Sequence, residues 1–328
     1  MAASINPLDV KVFKGYAKRG GWPVPSPMVP GYDFSGTISE LSENVDYSGF
    51  EVGDAVFGMN FGKNRHDEAG STIGGAFAEY ILVPLAKLSR KPANIGFDVA
   101  AAISLAGTTA FEVLYECARI QSGQKILILG GGSAVGIIAL QLAKRTGAWV
   151  AVTCSERNKA RVEKYHPDKV ILYNSEQWDH KLRDLDAVLD MVGEKDAFAR
   201  LKQANVVKEG GSFVSIASFD AGTDPKAHPY FSYCAKFGVS SNANVQAAVA
   251  TLVSSGELEI PIDEKYSFDT PGIQRMFRKV DGGKSMGKNI LEVSDPSLDQ
   301  KRGSTVIAFA LFFDTTIYNY TIGKWSVF

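Results

Sequence analysis

The residues best suited to chemistry lie together between Ile126 and Lys159. Four apolar residues, Ile126 to Leu129, run into Gly130, Gly131 and Gly132, and then into Ser133, Ala134, Val135 and Gly136. A glycine-rich turn leading into a helix leaves backbone N–H groups at the positive end of the helix dipole, and such an end attracts a pyrophosphate. The strict dinucleotide fingerprint G-x-G-x-x-G fails in both registers. One beginning at Gly130 meets Val135 where glycine is required, and one beginning at Gly131 meets Ser133. The context still holds: an apolar strand leads in, and the following helix places Val135, Ile138, Ala139 and Leu142 on one face before ending at Gly147. A structural turn is the alternative, and three consecutive glycines are a costly way to make one.

Nucleotide choice is read about 20 residues past such a loop, where an acidic residue at the end of the second strand binds ribose hydroxyls and repels a 2′-phosphate. Here that point falls at Cys154 or Ser155, and neither is acidic. Ser155 can donate a hydroxyl hydrogen bond, and Arg157 and Lys159 follow within reach of a phosphate, which favours NADPH. Tyr173, ending the third strand, would cover the adenine side. The rival is Glu156 swinging in as an NAD-selecting acid, and the plain alternative for Arg157 and Lys159 is a solvated helix face.

Metal chemistry has no comparable signature. The three cysteines (Cys117, Cys154, Cys234) and four histidines (His66, His166, His180, His228) are scattered singly, without a CxxC or a histidine pair at ligand spacing. That pattern excludes a disulfide framework and fits a reducing compartment. A net charge of -1 lacks the basic excess that nucleic acid rewards, so no nucleic-acid partner is expected. No basic stretch followed by an apolar run opens the chain, which makes the cytoplasm the expected location, with an organelle the alternative if a targeting segment is missing. The apolar run Val306 to Phe313 is far short of the roughly 20 residues that span a bilayer, so no integral membrane span is expected.

The elements that position these residues follow from periodicity. At 328 residues the chain is long enough for two domains. From residue 125 six apolar runs alternate with helical patterns: Ile126–Leu129, Trp149–Thr153, Val170–Tyr173, Ala187–Met191, Phe213–Ile216 and Phe237–Val239. Uninterrupted runs of this kind suit strands buried on both faces of a doubly wound parallel sheet, a Rossmann α/β arrangement. Residues 1–104 hold most of the prolines and short runs typical of antiparallel strands and turns. The expected organisation is a β-rich substrate domain over 1–106, completed by 258–293, a dinucleotide-binding domain over 107–257, and an atypical tail over 294–328. For the tail, a packed strand or helix and a non-native terminus both remain open.

Seven stretches together carry a resemblance: "SINPLDVKVFKG", "VPGYDFSGTI", "VGDAVFG", "GGAFAEYILVP", "LAGTTAFEVL", "GGGSAVGIIALQLAK" and "GKNILEV". The chain, from Ser4 to about Val293, resembles the zinc-free, quinone oxidoreductase-like branch of the medium-chain dehydrogenase/reductase family, closest in flavour to its reticulon-4-interacting-protein-like members. The resemblance implies a GroES-like first domain beside the Rossmann domain. The family's loop is one residue longer than the strict fingerprint and often ends in Val-Gly, as Val135-Gly136 does; Ser133 and Ala134 stand where the family often has glycines. It implies that Gly130, Ser133, Ala134, Val135 and Gly136 hold NADPH, that Thr109 lies beside it, and that Ser155, Arg157 and Lys159 match NADPH-recognising positions. Family members begin earlier, with strands that complete the first domain, so an incomplete first domain is expected.

Zinc-dependent relatives hold their metal with an early cysteine, a histidine in a Gly-His-Glu segment, and a later cysteine or aspartate. Asn6 and Gly31-Tyr32-Asp33 occupy the first two places, so the resemblance implies hydride delivery without metal, with Asn6 and Tyr32 as the catalytic residues near the nicotinamide; the plain alternatives are a turn residue before Pro7 for Asn6 and a core aromatic with a satisfied hydroxyl for Tyr32. Tyr16 lies near the place where enoyl-thioester reductases of the family carry a tyrosine acid, at imperfect spacing. The implied activity is NADPH-dependent reduction of a quinone or an α,β-unsaturated carbonyl, a small-molecule substrate. A 2-enoyl thioester reductase and a non-catalytic NADPH-binding protein remain as alternatives, and a homodimer is an open oligomeric state.

Overall fold

A computed structural model describes residues 1–15, 29–42, 49–61, 75–217 and 228–293, together with the short strands Ala310–Leu311 and Ile322–Gly323. Tyr16 lies outside the described residues, as does most of the tail, of which the described part is one antiparallel pairing of those two strands. The chain divides into two compact units: Met1–Leu105, Ser240–Ser255 and Ile262–Phe328 form the first, Ala106–Val239 and Gly256–Pro261 the second.

The first unit is built on a six-stranded sheet in the order Ile262–Ser267, Lys288–Glu292, Ala2–Ile5, Asp33–Thr37, Ala55–Met59, Leu88–Arg90. Its pairings are antiparallel except that between Ile262–Ser267 and Lys288–Glu292. Ala2–Ile5 is therefore an interior strand, paired on one side to Lys288–Glu292 and on the other to Asp33–Thr37, and all four of its residues are buried. The helix Pro7–Phe13 follows at once, with Pro7 at a position where its fixed φ is pre-organised for a helix and its missing N–H is not needed. This helix packs on Thr270–Asp281, whose start is capped by Asp269 accepting from the Gly272 N–H at 2.6 Å. The spacing of Ile273, Met276 and Phe277 gives that second helix one apolar face, and Phe277 meets Phe13 with ring centroids 5.5 Å apart.

Sequence order places the helix Ala243–Ser254 inside the expected nucleotide-binding span 107–257, but it belongs to the first unit. The reason is local and polar. Ser89 Oγ donates to the Ala243 carbonyl at one end, and at the other Asn94 donates to the Ser254 carbonyl and accepts from the Ser254 hydroxyl.

The second unit holds a fully parallel sheet in the order Tyr233–Lys236, Val207–Ser215, Leu185–Asp190, Lys125–Leu129, Trp149–Cys154, Lys169–Leu172. This is the dinucleotide-binding strand order, and its reversal point lies between Lys125–Leu129 and Leu185–Asp190, outside whose carboxyl ends ligands bind in such folds. The central residues Ile126–Leu129 and Val150–Val152 are buried, as two-sided coverage requires. Five of the six expected runs overlap strands. The sixth strand is Tyr233–Lys236 rather than Phe237–Val239: its ladder pairs Tyr233 with Ser212 and Lys236 with Ser215, and the Phe237 N–H makes a last bond to the Ser215 carbonyl. As an edge strand it runs through the half-polar sequence Tyr-Cys-Ala-Lys, and the apolar run begins where its ladder stops.

The apolar helical stretch Phe97–Cys117 is long enough by length and composition to cross a bilayer, yet 72% of its most apolar window is buried within the protein. That is the burial of a core helix.

Candidate functional site

The loop after Lys125–Leu129 is built so that side chains are excluded from it. Gly130 adopts φ +77°, and a Cβ there would overlap Val192. A Cβ on Gly136 would collide with the Gly130 carbonyl oxygen, so this glycine lets the first helical turn fold back against the strand end. A Cβ on Gly132 would sit 2.7 Å from Asn158 Nδ2. Hydrogen bonds then fix the turn: Gly131 N–H to the Thr153 carbonyl at 2.8 Å, Gly130 N–H to Thr153 Oγ1 at 3.0 Å, and Ser133 N–H to the Gly130 carbonyl at 2.9 Å. Ser133 is the N-cap of the helix Ala134–Thr146 and accepts from the Gly136 N–H at 3.0 Å. Its hydroxyl thus serves the helix start, which explains a serine in place of a glycine. Ala134 and Val135 begin the helix half-buried, while Ile137 to Leu140, Leu142 and Ala143 are buried; the apolar face is wider than the four residues expected from periodicity.

Two supports of this loop have little sequence signal. Arg161 donates to the Gly132 carbonyl and, at 3.2 Å, to Asn158 Oδ1, and Asn158 is buried beneath the loop. Asp190, fully buried at the end of its strand, accepts through Oδ1 from the N–H groups of Val192, Gly193 and Glu194 and through Oδ2 from the Ser215 hydroxyl. This organises the turn that carries Val192 over Gly130. An acidic residue closing the apolar run "AVLD" was the available clue to Asp190; for Asn158 and Arg161 the pattern offered none.

At the end of Trp149–Cys154, the Cys154 side chain is buried, and burial pushes its thiol up to about 11, so it stays neutral. Ser155 is half-buried and its Oγ accepts from Asn158 Nδ2 at 3.2 Å, which leaves the hydroxyl proton to donate elsewhere. Glu156 and Arg157 are exposed and Lys159 is half-buried. Tyr173 is 52% exposed just past Lys169–Leu172, with its N–H on the Cys154 carbonyl at 3.2 Å. Thr109, on the helix Phe97–Phe111, is buried with an Oγ1 that finds no hydrogen-bond partner among the described residues. Thr108 Oγ1 and Ser104 Oγ on the same helix are buried in the same way, and an unmet buried hydroxyl costs about 1–3 kcal/mol, a cost that a bound polar ligand would relieve. A side-chain-free loop at a helix start and an orphaned hydroxyl in the same unit both fit a phosphate-bearing dinucleotide.

In the first unit Asn6 and Tyr32 belong to a buried polar cluster. Lys288 Nζ lies 2.9 Å from Asp33 Oδ2 and 2.5 Å from Asn6 Oδ1. Asp33 Oδ2 also accepts from Asn6 Nδ2 at 2.9 Å and from Ser4 Oγ at 3.0 Å, and Oδ1 accepts the Leu105 N–H at 3.1 Å. Asn6 thus has both ends of its amide engaged, which makes it a supporting residue more than a free substrate contact. Its N–H donates to Asp9 Oδ2 at 2.7 Å. Asp9 is buried at the first turn of Pro7–Phe13, and its Oδ1 has no partner among the described residues. Burial, with the Asp33 charge adding to it, pushes the Asp9 carboxyl up to about 7. Tyr32 is buried with its ring edge-on to Phe61, centroids 4.7 Å apart, and burial together with the Asp9 charge pushes its phenol up, so it remains a neutral donor. Sequence reading singled out Asn6 and Tyr32 but passed over Asp9, Asp33 and Lys288; "NPLD", with an acid three residues after Asn6, was the visible hint.

A separate cavity of about 700 Å³ opens on the same unit, lined by Phe34, Val56, Ile81, Val83 and Leu88 among others. None of the predicted site residues lines it, so it is not where they act.

Comparison with known proteins gives concordant likenesses. Residues 1–93 match the family described as alcohol dehydrogenase GroES-like domain, and residues 165–291 match the zinc-binding dehydrogenase family. The chain is 33% identical over 295 residues to a 2-methylene-furan-3-one reductase of Solanum lycopersicum, covering 89% of this chain and 70% of that one. It is 30% identical, with the same coverage, to a chloroplastic NADPH-dependent alkenal/one oxidoreductase of Arabidopsis thaliana. Among solved structures, a quinone oxidoreductase from Coxiella burnetii superposes with a TM-score of 0.74 at 28% identity over 89% of this chain and 88% of that one.

Proposed function

Because the chain belongs to the quinone oxidoreductase-like branch of the medium-chain dehydrogenase/reductase family, we propose that it is an NADPH-dependent reductase of quinones or α,β-unsaturated carbonyls that works without a metal. When bound, NADPH supplies a hydride to an electron-poor carbon. The chain's part is to bind, orient and hydrogen-bond. The glycine-rich loop and the start of the helix Ala134–Thr146 take the pyrophosphate, and Ser155, Arg157 and Lys159 take the 2′-phosphate. Tyr173 covers the adenine side, and the Thr109 hydroxyl bonds the cofactor. Tyr32, held neutral by burial, donates a hydrogen bond to the acceptor oxygen, and Asn6 supports it through Asp33 and Lys288.

The observation that carries this reading is the loop in which Gly130, Gly132 and Gly136 each leave no room for a side chain, at the sheet's reversal point. Turnover of 9,10-phenanthrenequinone and of a crotonyl thioester, each with NADPH, tests it. Quinone reduction supports the proposal, preference for the thioester shifts it to a 2-enoyl thioester reductase, and NADPH binding without turnover of either leaves a non-catalytic binding protein.

A further inference from the structure

The buried cluster of Asn6, Asp9, Asp33 and Lys288 is unbalanced in charge. Among the described residues it holds one cation, Lys288, and two carboxyl groups, Asp33 and Asp9, all buried. Lys288 is committed to Asp33 and Asn6. Asp33 is satisfied by four donors, from Lys288, Asn6, Ser4 and the Leu105 N–H. Asp9 accepts the Asn6 N–H on one oxygen, with a lesser contribution from the Asn6 side chain, and its other oxygen is buried and unpartnered among the described residues. On the neighbouring helix Thr270–Asp281, Lys279 pairs with Asp263 and Glu264, and the only cation whose charge acts on Asp9 among the described residues is Lys288. A second buried negative charge held by Asn6 alone, with no ion-pair partner among the described residues, is costly, whereas a neutral carboxylic acid balances the cluster.

We propose that Asp9 is a positioning residue whose proton keeps this cluster neutral, and that only the protonated form supports rapid hydride transfer. The inference rests on the reductase reading above. Hydride addition places one negative charge on the acceptor oxygen, later discharged by a proton from solvent. The charge of Asp9 already acts on the Tyr32 phenol. An ionised Asp9 therefore weakens Tyr32 as a donor and opposes the charge that forms beside it, and the neutral acid does neither. The reaction is expected to slow as pH rises through the Asp9 transition, with Tyr32, Asp33 and Lys288 as the other titratable groups facing it.

The test is the pH dependence of kcat from roughly pH 5.5 to 8.5, with the full chain, NADPH and 9,10-phenanthrenequinone, which has no titrating group. Wild-type kcat should fall about tenfold across the range, the equivalent of one pKa unit of coupling, while Asp9→Asn, whose amide oxygen can still accept from Asn6 but carries no charge, should give a flat profile. The same alkaline fall in Asp9→Asn overturns the inference. If no acceptor is turned over at any pH, the reductase reading fails, and a second measurement still decides the role of Asp9. The unfolding midpoint of the wild type should then drop relative to Asp9→Asn as pH rises from about 4 to about 7, and parallel curves overturn the inference.

Discussion

Replacing Lys288 by methionine removes an ammonium group while keeping a stem of similar volume in place. Its side chain is 2% exposed and that of Asp33 is fully buried, so water cannot take over the lost contacts. The change strands the buried Asp33 carboxylate, with no other cation bonded to it among the described residues. Removing one partner of a buried pair costs about 3–5 kcal/mol. Asp33 keeps its bonds from Ser4, Asn6 and Leu105, which places the expected loss near the lower end, about 3 kcal/mol. Adding Asp33→Asn discharges the stranded group, so the double variant should recover roughly 1–3 kcal/mol relative to the sum of the single changes. Urea denaturation followed by far-ultraviolet circular dichroism measures all four proteins of the cycle. A loss below about 1 kcal/mol for Lys288→Met, or strict additivity in the double variant, would refute the argument that Lys288 is the countercharge of the cluster.

Other outcomes are equally open to measurement. Gly136→Ala would drive a Cβ into the Gly130 carbonyl oxygen, so the NADPH dissociation constant should rise at least about tenfold, a loss of ~1.4 kcal/mol, by nicotinamide fluorescence; an unchanged constant would move the cofactor elsewhere. NADPH should bind about tenfold or more tightly than NADH, and Arg157→Ala with Lys159→Ala should remove most of that gap while leaving NADH affinity nearly unchanged; equal constants in the wild type would sink the assignment. The Asp9 carboxyl, at about 7 when folded and near 3.8 when unfolded, makes the folded chain the stronger proton binder between those values. Stability from this group is therefore full below about pH 4 and is lost as pH rises to about 7, by about 4 kcal/mol at ~1.36 kcal/mol per unit. Asp9→Asn should abolish that component of the stability profile, and a wild-type slope retained in the variant would count against it.

The parallel sheet was legible because its central strands are covered on both faces and so spell uninterrupted apolar runs, as Ile126–Leu129 and Val150–Val152 do. Its edge was misread for the complementary reason: Tyr233–Lys236 is covered less, and the apolar signal drifted to the residues beyond its ladder. The helix Ala243–Ser254 was legible as a helix, but its membership was not, because two short polar contacts to Ser89 and Asn94 settle where it packs. At the loop the run of glycines is visible in the sequence, whereas Arg161 reaches the Gly132 carbonyl across 29 positions and Asp190 accepts the Ser215 hydroxyl across 25, contacts that leave no periodic trace. The cluster around Asn6 shows the same limit more strongly. Asn6, Asp33 and Lys288 are far apart in sequence, and an aspartate, an asparagine and a lysine each read as surface residues until the sheet brings them together.

The pairing of Ala2–Ile5 with Lys288–Glu292 also orders events during synthesis. Ala2 faces Glu292, so this interior strand of the first sheet emerges from the ribosome about 290 residues ahead of one of its partners. At roughly 5–20 residues per second that interval is on the order of a quarter of a minute to a minute. The nucleotide-binding sheet, drawn from the contiguous stretch Lys125–Lys236, is complete well before. A nascent chain is therefore expected to have its glycine-rich loop folded while Asp33–Thr37 and Ala55–Met59 still lack the strand that sets Lys288 against Asp33, so completion of the first sheet waits for translation to reach Glu292.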